Sequence, residues 1–441
     1  MPATFSTTRR CPYCSAELRL ADCPIVATSF PGVEFLDPEN LDPDGIELYS
    51  GTQPRGLLPK TGWPVVALPP ALEHAEPVVE KNHSLLRDAF RAPTAAVAER
   101  SLPSLSEHGN SNGVSPEDVP ARACPQCQYP LPRNIDDREA IVMAVVGANR
   151  VGKTHFIAAS LTEAYERRGL AALNCTEFVP DEATSVRFRM DYHHRLFREK
   201  TILDATAVDD DARFDPLVFN VTLSGSEPFS LVVHDISGET LGDYRSSART
   251  ATFLRAARGI VFLVDPREIE QIRDGLPDWI VENNELSFDQ GALLASCLKA
   301  NGAVVGQQMI PVAVTIAKAD LLPQVCGELP FLTPAQPASE NYEDLLERIK
   351  TTSHQVAAFL EEVAAFSLLG PAREYEDRCS VARQTAAGSE MAGTVTYHAV
   401  SALGGAPDAD EQITTQIKPL NCVDPIAALL AQIARPVRQA G

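Results

Sequence analysis

Hydrophobic positions change their pattern near residue 139 of this chain. Beyond that point, short runs rich in β-branched residues alternate with stretches of helical periodicity, as in "AIVMAVVG" (140–147), "GIVFLVD" (259–265) and "MIPVAVTI" (309–316). Apolar runs of this length predict strands that are buried on both faces. Their alternation with helices predicts an α/β fold whose sheet is mainly parallel and covered by helices on both faces. Because such sheets bind ligands beyond the carboxyl ends of their strands, the residues that follow each run are candidates for function.

The chain before residue 134 is marked by cysteines instead. Two Cys-Pro-x-Cys units, "CPYC" at 11–14 and "CPQC" at 124–127, flank an insertion (25–122) rich in Pro, Gly and acidic residues. Each C-x₂-C turn presents two thiolates to one metal, and four thiolates make a closed tetrahedral zinc site. We therefore predict a structural zinc ribbon with a long insertion and with the ligands Cys11, Cys14, Cys124 and Cys127. Redox-active CxxC pairs are the alternative, and Cys23 is either a replacement ligand or a buried thiol.

The sequence predicts two domains, the zinc ribbon over 1–133 and the α/β domain over 134–441. Their composition and charge limit the partners and the cellular compartment that can be expected. The formal net charge of −21 disfavours nucleic acid and anionic membranes as partners. No apolar run approaches the roughly 18 residues of a membrane helix. The first residues, "MPATFSTTRRCPYC", lack the apolar segment of a secretory signal. Ten cysteines without an export signal are typical of thiols and metal ligands in a reducing compartment, so we predict a cytoplasmic protein.

The stretch "GANRVGKT" (147–154) follows the first long apolar run and precedes an amphipathic helical stretch. It matches G-x-x-x-x-G-K-[ST] in the strand–loop–helix context of a phosphate-binding loop. Its glycines allow backbone N–H groups to point at phosphate oxygens, Lys153 reaches the β- and γ-phosphates, and the Thr154 hydroxyl binds Mg²⁺. The residues predicted to contact the nucleotide here are Gly147, Asn149, Arg150, Val151, Gly152, Lys153 and Thr154.

A second functional stretch, "FSLVVHDISGET" (229–240), ends another predicted strand with two carboxylates. The Mg²⁺ of a nucleotide bound at a phosphate loop needs a carboxylate from a neighbouring strand, so Asp235 is predicted to be that ligand. Gly238, three residues on, fits a backbone N–H that contacts the γ-phosphate. Glu239 is the candidate to accept a proton from the attacking water, which requires a raised pKa beside the phosphate.

The segment "VTIAKADLL" (314–322) bears on the choice of nucleotide. The Asp320 carboxylate can accept hydrogen bonds from guanine N1–H and N2–H₂, donors that adenine lacks at those positions, and the stem of Lys318 would lie over the ring. After the last predicted strand, "VSALG" (400–404) supplies Ser401 and a backbone N–H of Ala402 for the guanine carbonyl oxygen. "KAD" alone is weak evidence for a guanine site. Four nucleotide-binding motifs in the expected order, each at the end of a strand, favour GTP over ATP.

Together, "GANRVGKT", "DISGE", "KAD" and "SAL", which span 147–403, resemble the motifs of the translation-factor-related class of P-loop GTPases. The resemblance implies a switch that hydrolyses GTP. It also implies a Mg²⁺-binding threonine before the second predicted strand, "PLVFNVTL" (216–223), for which Thr206 in "ILDAT" is the best candidate, with Thr201 nearby. Two positions depart from the pattern: Ala317 stands where the class usually has Asn or Thr to brace the phosphate loop, and Glu239 stands where many members have Gln.

The CPxC units, "LDAT", "DISGE" and the ending "PLNCVDPIAALL" are similar, more specifically, to a double-GTPase family. That family is associated with bacterial conflict systems, in which GTPases are thought to act as switches coupled to partner proteins. The resemblance implies a protein partner, with another GTPase among the candidates.

Two further segments are predicted to be helices. "RFRMDYHHRLFREK" (187–200) is basic and aromatic, which suggests RNA contact. Val186, Met190 and Phe197 recur at near-helical spacing, however, and favour an amphipathic helix inserted before the second strand. The stretch 339–366 is predicted to be a long amphipathic helix that covers the sheet or docks a partner.

The sequence therefore predicts a switch that binds GTP with Mg²⁺, hydrolyses it slowly without a partner, and carries a structural Zn²⁺. An ATP-dependent P-loop enzyme and a nucleotide-dependent scaffold that does not hydrolyse are the alternatives. A ribbon that reads nucleic acid is a further alternative, which the net charge disfavours.

Overall fold

The computed structural model describes most of the chain after residue 133 and part of the chain before it. The described residues are 8–12, 16–23, 25–27, 65–67, 120–126, 131–132, 134–166, 169–203, 216–237, 254, 256–281, 289–302, 310–333, 341–385, 395–405, 413 and 416–433. The chain divides into two compact units, Met1–Glu139 and Ala140–Gly441.

The first unit contains short antiparallel strands around a small core. Strands β1 (Thr8–Arg10) and β2 (Glu17–Arg19) pair with each other, and β3 (Ile25–Ala27) pairs on its two sides with β4 (Val65–Ala67) and β5 (Pro120–Arg122). The core contains three cysteines together with four aliphatic side chains: Cys11, Cys23, Cys124, Leu18, Leu20, Leu131 and Ile135.

The second unit is built on a seven-stranded sheet. Its strands are β6 (Glu139–Gly147), β7 (Cys175–Pro180), β8 (Leu217–Leu223), β9 (Phe229–Ser237), β10 (Ala257–Val264), β11 (Val312–Ile316) and β12 (Val395–Ala399), and their order across the sheet is β12-β11-β10-β6-β9-β8-β7. The predicted α/β fold with a mainly parallel sheet is confirmed.

Strands β6, β10, β11 and β12 pair in parallel, so their carboxyl ends meet at one edge of the sheet. In this register Gly147 lies opposite Leu263, and Ile316 lies between Val264 and Ala399. The motifs that follow these strands are therefore brought side by side, as parallel sheets require. On the other side of the sheet, β9, β8 and β7 pair antiparallel.

Helices cover both faces of the sheet. The α-helices in the described part of the chain are α1 (Lys153–Glu166), α2 (Glu182–Arg187), α3 (Glu270–Arg273), α4 (Asp278–Val281), α5 (Gln290–Gly302), α6 (Pro323–Cys326), α7 (Tyr342–Glu362), α8 (Phe366–Thr385) and α9 (Asp424–Ile433). Successive β6 residues point to opposite faces. Ala144 and Val146 belong to the core beneath α5, α7 and α8, while Met143 and Val145 belong to the core beneath α1 and α9. Within the described residues, no helix is both long and apolar enough to cross a bilayer.

The segment predicted to be a helix over 339–366 is helical from Tyr342 to Glu362, and a second helix starts at its last residue. Asn341 caps α7 by accepting hydrogen bonds from the backbone N–H groups of Glu343 and Asp344, both at 2.9 Å. The helix ends at Glu362, and α8 begins at Phe366. Ala364, between them, has a left-handed φ of 52°, which an α-helix cannot contain. The predicted end of the helix was therefore wrong.

The predicted helix in the 187–200 region is present, but most of it is a π-helix (Phe188–Arg198) that follows α2 directly. The predicted apolar face was wrong in part, because Val186 is 59% exposed and Met190 is 50% exposed. Phe188 and Leu196 are buried in their place. Hydrogen bonds from i to i+5 widen each turn, so the spacing of an α-helix does not identify the buried face here.

Candidate nucleotide-binding site

The phosphate loop (147–154) turns sharply between β6 and α1. Arg150 and Gly152 have positive φ values of 57° and 97°. A Cβ on Gly147 would lie 2.8 Å from the carbonyl oxygen of Leu263 on the neighbouring strand and 2.9 Å from Val151 Cγ1. The close approach of β10 therefore requires glycine at position 147. A tight loop of this kind at a helix N-terminus is the backbone arrangement that binds phosphate groups.

Lys153 lies inside this loop. Its Nζ donates hydrogen bonds to the carbonyl oxygens of Gly147 at 3.2 Å and of Ala148 at 2.8 Å, and the residue is only 7% exposed. A buried ammonium is costly unless its donors are hydrogen-bonded, and the loop carbonyls meet that need. The positive charge is thereby held inside the loop.

Thr154 and Asp235 come together from elements 81 residues apart in the sequence. The Thr154 hydroxyl donates to Asp235 Oδ2 at 3.0 Å. A hydroxyl and a carboxylate oxygen at the end of a phosphate loop are the hard oxygen donors that Mg²⁺ prefers. The residues present therefore fit the predicted ion.

The "KAD" segment (318–320) and the loop after β12 (400–405, the base loop) are joined by hydrogen bonds. The Ser401 hydroxyl donates to Asp320 Oδ1, and Ser401 Oγ in turn accepts the backbone N–H of Gly404 at 2.9 Å. Reciprocal backbone hydrogen bonds of 3.1 and 2.8 Å tie Ser401 to Leu420. Burial raises the pKa of Asp320, and the Ser401 hydroxyl opposes that shift because it donates to the charged form. Ala402 lies in the same loop and packs partly buried against the core.

Lys318 joins the base end of the site to the phosphate end. Its backbone has a left-handed φ of 49°. Its Nζ donates to the carbonyl oxygen of Arg150 in the phosphate loop and to Asp265 Oδ2, both at 2.7 Å. Lys318, which stands two residues before Asp320, therefore contacts the phosphate loop directly.

A sequence model of the Double-GTPase 2 family matches residues 141–373, more than half of the 441-residue chain. The chain belongs to the Double-GTPase 2 family. The matched range contains the phosphate loop, Asp235 and Asp320, and a GTPase-type nucleotide-binding domain follows from the family.

The chain is also similar to a curated protein, the "Putative ESX-1 scaffolding and assembly protein SaeC" of Mycolicibacterium smegmatis (strain ATCC 700084 / mc(2)155). The two are 26% identical over 206 residues, which are 45% of this chain and 51% of the relative. The chain thus spans about half the length of the curated relative that it matches.

In this Double-GTPase 2 protein, two residues of the site were missed by sequence reasoning. One is Asp265, the partner of Lys318. The other is His155, whose Nε2 accepts the backbone N–H of Leu203 at 3.1 Å. Burial, assisted by the nearby Lys318, lowers the pKa of His155 to about 4, so the ring is neutral and able to accept. Leu203 directly precedes the segment that contains Thr206, and His155 thus anchors the chain at that point.

Several predicted residues of this Double-GTPase 2 protein cannot be placed in the site. Thr206, Gly238 and Glu239 lie outside the described residues. Their predicted roles toward Mg²⁺, the γ-phosphate and the attacking water stay predictions.

The predicted zinc ligands are placed in part. Cys14 and Cys127 lie outside the described residues, whereas Cys11 and Cys124 are both buried in the core of the first unit. The backbone N–H of Gln126 donates to Cys124 Sγ at 3.4 Å. Cys23 lies in the same core, where burial, followed by the neighbouring Cys124, raises its pKa to about 12. Within the described ranges, no group of three or more His, Cys, Asp or Glu side chains could hold a metal.

Proposed function

We propose that this Double-GTPase 2 protein is a molecular switch that binds GTP with Mg²⁺, hydrolyses it slowly, and acts through a protein partner. The observation that carries the proposal is the joining of two motif pairs in one site. Asp320 and Ser401 form the base end, Thr154 and Asp235 form the Mg²⁺ end, and Lys318 connects the base end to the phosphate loop.

Guanine selection rests on Asp320. A carboxylate offers about four lone-pair sites, so Asp320 can accept from guanine N1–H and N2–H₂ while one oxygen still accepts from Ser401. An adenine base has neither donor at those positions and would leave the remaining acceptor sites of the half-buried carboxylate without donors, which is costly. Guanine would also oppose the effect of burial on the pKa of Asp320, because its N–H groups donate to the charged form.

Phosphate binding rests on Lys153, Thr154 and Asp235. The Lys153 ammonium, held by the loop carbonyls, would attract the β- and γ-phosphates without a large movement of the loop. Thr154 and Asp235 would hold Mg²⁺ together with Thr206. When bound, the ion supplies positive charge to the phosphate oxygens on which negative charge develops during hydrolysis.

The hydrolytic step rests on Gly238 and Glu239. The Gly238 N–H would contact the γ-phosphate, and Glu239 would accept a proton from the attacking water. A carboxylate beside a phosphate is repelled unless its pKa is raised, which supports slow turnover in the absence of a partner.

Titration calorimetry of the full chain with GTP, GDP, ATP and ADP in the presence of Mg²⁺ tests the nucleotide. We expect GTP and GDP to bind at least about a hundredfold more tightly than the adenine nucleotides, since a site built to hydrogen-bond a group rejects the analogue that lacks it. Asp320→Ala should remove this preference, whereas Lys153→Ala should weaken all four nucleotides. Equal affinity for ATP and GTP would favour the ATP-dependent alternative.

A scaffold that binds the nucleotide without hydrolysing it is the second candidate. It is favoured by the similarity to a protein whose name describes a scaffolding and assembly function. That name also supports a protein partner, with another GTPase among the candidates and a bacterial conflict or other regulatory system as the setting. Single-turnover phosphate release separates the two functions: a switch releases phosphate from bound GTP more slowly after Glu239→Ala, whereas a scaffold releases none in either form.

We also propose that Cys11, Cys14, Cys124 and Cys127 hold a structural Zn²⁺ in the first unit. The support is that Cys11 and Cys124 are buried in one small core, and small cores commonly need a metal for stability. Metal analysis of the full chain should show one bound zinc, which Cys124→Ser removes. Cys175→Ser, which alters a half-buried thiol of β7, should keep the metal. Unchanged zinc content in Cys124→Ser would contradict the assignment.

A further inference from the structure

A charged cluster lies at the carboxyl end of β10, and its central residue belongs to none of the four sequence motifs. Its centre is Asp265, the residue that follows β10, and the residue is only 2% exposed. A buried carboxylate is costly unless it is paired and hydrogen-bonded. Asp265 contacts two cations, Arg267 and Lys318. Such a cluster at the mouth of a nucleotide site is a candidate for function.

The Asp265 carboxylate is held rigidly. Arg267 donates from Nε to both carboxylate oxygens, at 3.0 and 3.2 Å, and from Nη2 to Oδ2 at 2.7 Å. The side-chain amide of Gln290 at the start of α5 accepts the Asp265 N–H at 2.7 Å and donates to the Asp265 carbonyl at 3.1 Å. Burial acts to raise the pKa of Asp265, but Lys318 and Arg267 outweigh it and lower the pKa to about 2. The carboxylate therefore stays ionised and in one position.

The fixed Asp265 carboxylate positions the Lys318 ammonium, which in turn contacts the phosphate loop. The Lys318 ammonium bridges Asp265 Oδ2 and the Arg150 carbonyl, each at 2.7 Å. The stem of Lys318 lies along the loop, since its Cε is 4.0 Å from the position of a Cβ on Gly152. Because Lys318 itself belongs to the "KAD" segment, the same contact sets the position of the segment that carries Asp320.

The residue at position 317 makes the Lys318 contact with the phosphate loop more important, because it cannot support that loop itself. Ala317 has no polar side-chain atom, so it cannot donate to the phosphate loop. Its backbone N–H donates to the Val264 carbonyl at 2.8 Å, which places it directly beside the strand end that carries Asp265. The carboxylate that holds the Lys318 ammonium against the loop thus comes from the end of β10, while the ammonium comes from the end of β11.

We propose that Asp265 is a positioning residue that holds the phosphate loop and the "KAD" segment in their nucleotide-binding arrangement through the Lys318 ammonium. The inference rests on the proposed binding of guanine nucleotides to this site. A purely structural role is the competing explanation, because Asp265 also caps a short 3₁₀ helix (Pro266–Glu268) by accepting the Arg267 N–H at 3.0 Å. Loss of a cap alone would lower stability and leave the binding of nucleotide to the folded protein unchanged.

The test is titration of the full chain with GDP, comparing Asp265→Asn with wild type. The variant keeps the shape and the cap acceptor and removes the charge. We expect it to bind GDP about tenfold or more weakly, the effect of losing a charge-assisted hydrogen bond that positions both loops. The matched control is Asp181→Asn, another buried capping aspartate, which accepts the Thr184 N–H at 2.7 Å at the start of α2 and should bind GDP as wild type does.

A double-mutant cycle with Lys318→Ala tests the Asp265–Lys318 contact itself, because the loss of a helix cap would not affect its result. Asp265→Asn with Lys318→Ala should bind GDP no more weakly than Lys318→Ala alone, because the two residues act through one contact. Additive losses would overturn the inference. If Asp265→Asn fails to fold, Arg267→Gln serves instead, since it loosens the carboxylate and should weaken GDP binding by about two- to fivefold.

The outcomes separate the two proposals. A wild-type chain that binds no guanine nucleotide overturns the proposed function together with the inference. Wild-type binding of GDP with an unchanged affinity in Asp265→Asn overturns the inference alone.

Discussion

At the scale of single residues, the base loop turns at Gly404, whose φ is 76°. Its N–H donates to Ser401 Oγ, and Ser401 donates to Asp320. A Cβ at position 404 would lie 2.3 Å from the carbonyl oxygen of Lys418, a backbone atom that is itself tied to the loop by the Lys418 N–H to Leu403 carbonyl bond of 3.0 Å. Gly404 therefore supports the orientation of the predicted guanine-binding carboxylate.

Gly404→Ala should weaken GDP binding by about tenfold, because a left-handed alanine with a backbone clash costs about 1–3 kcal/mol and displaces Ser401. Gly405→Ala is the control, since a Cβ there meets nothing within 4 Å. It should bind GDP within about twofold of wild type, as an open surface position would. Calorimetry of the two variants checks this, and equal affinities would show that the turn at Gly404 does not position Asp320.

The residues predicted from the sequence and those missed differ in how far apart their partners lie. Lys153 and Asp320 could be predicted because each stands in a short motif of fixed spacing. His155 and Asp265 could not, because their partners lie 48 and 53 residues away and only the fold brings them together. Asp265 in particular follows the apolar run "GIVFLVD", in which it looks like an ordinary turn residue at the end of a strand.

At the scale of elements, the buried strands were predictable because apolar runs of strand length have few other uses in an α/β protein. Strand β7 was not predicted. Its sequence "CTEFVP" mixes exposed and buried positions, with only Phe178 buried, and it lies at the edge of the sheet. An edge strand buries fewer side chains, so its hydrophobic signal is weak.

Helices were predicted better in type than in extent. The break at Ala364 could not be read from "EEVAAF", in which every residue is a tolerable helix former. The π-helix at Phe188–Arg198 likewise could not be predicted from a 3.6-residue periodicity. At the π-helix a tertiary contact accompanies the departure from local preference. Phe188 packs edge-on against Phe219 of β8, with ring centroids 5.3 Å apart.

At the scale of the whole molecule, buried histidines link stability to pH. Burial, assisted by Lys318, lowers the pKa of His155 to about 4, and burial, assisted by Arg348, lowers the pKa of His398 to about 3. Their pKa values in the unfolded chain are near the ordinary 6.5. Below about pH 6.5 the unfolded chain therefore binds two protons that the native protein does not, so acid favours unfolding.

Glu268 acts in the opposite direction. Burial, followed by the neighbouring Asp265, raises its pKa from 4.5 to about 7. Its contribution to stability is therefore present below pH 4.5 and lost as the pH rises through 7, and acidification restores it. Asp265, whose pKa is about 2, changes its protonation only in stronger acid. The pKa of Asp320 is also raised by burial, so Glu268 and Asp320 together oppose the effect of the two histidines on acidification.

Each of the two histidines should therefore lower the free energy of unfolding on acidification from pH 6.5 to 4.5, with a slope of about 1.4 kcal/mol per pH unit for its one proton. Urea titrations followed by circular dichroism measure it, at about 0.3 M salt to screen the net charge of −21. His398→Gln should flatten the slope, because it removes one of the two buried rings. His354→Gln, at an exposed position of α7, should leave the slope unchanged. A slope in His398→Gln that equals the wild-type slope would contradict the assignment of the acid sensitivity to these histidines.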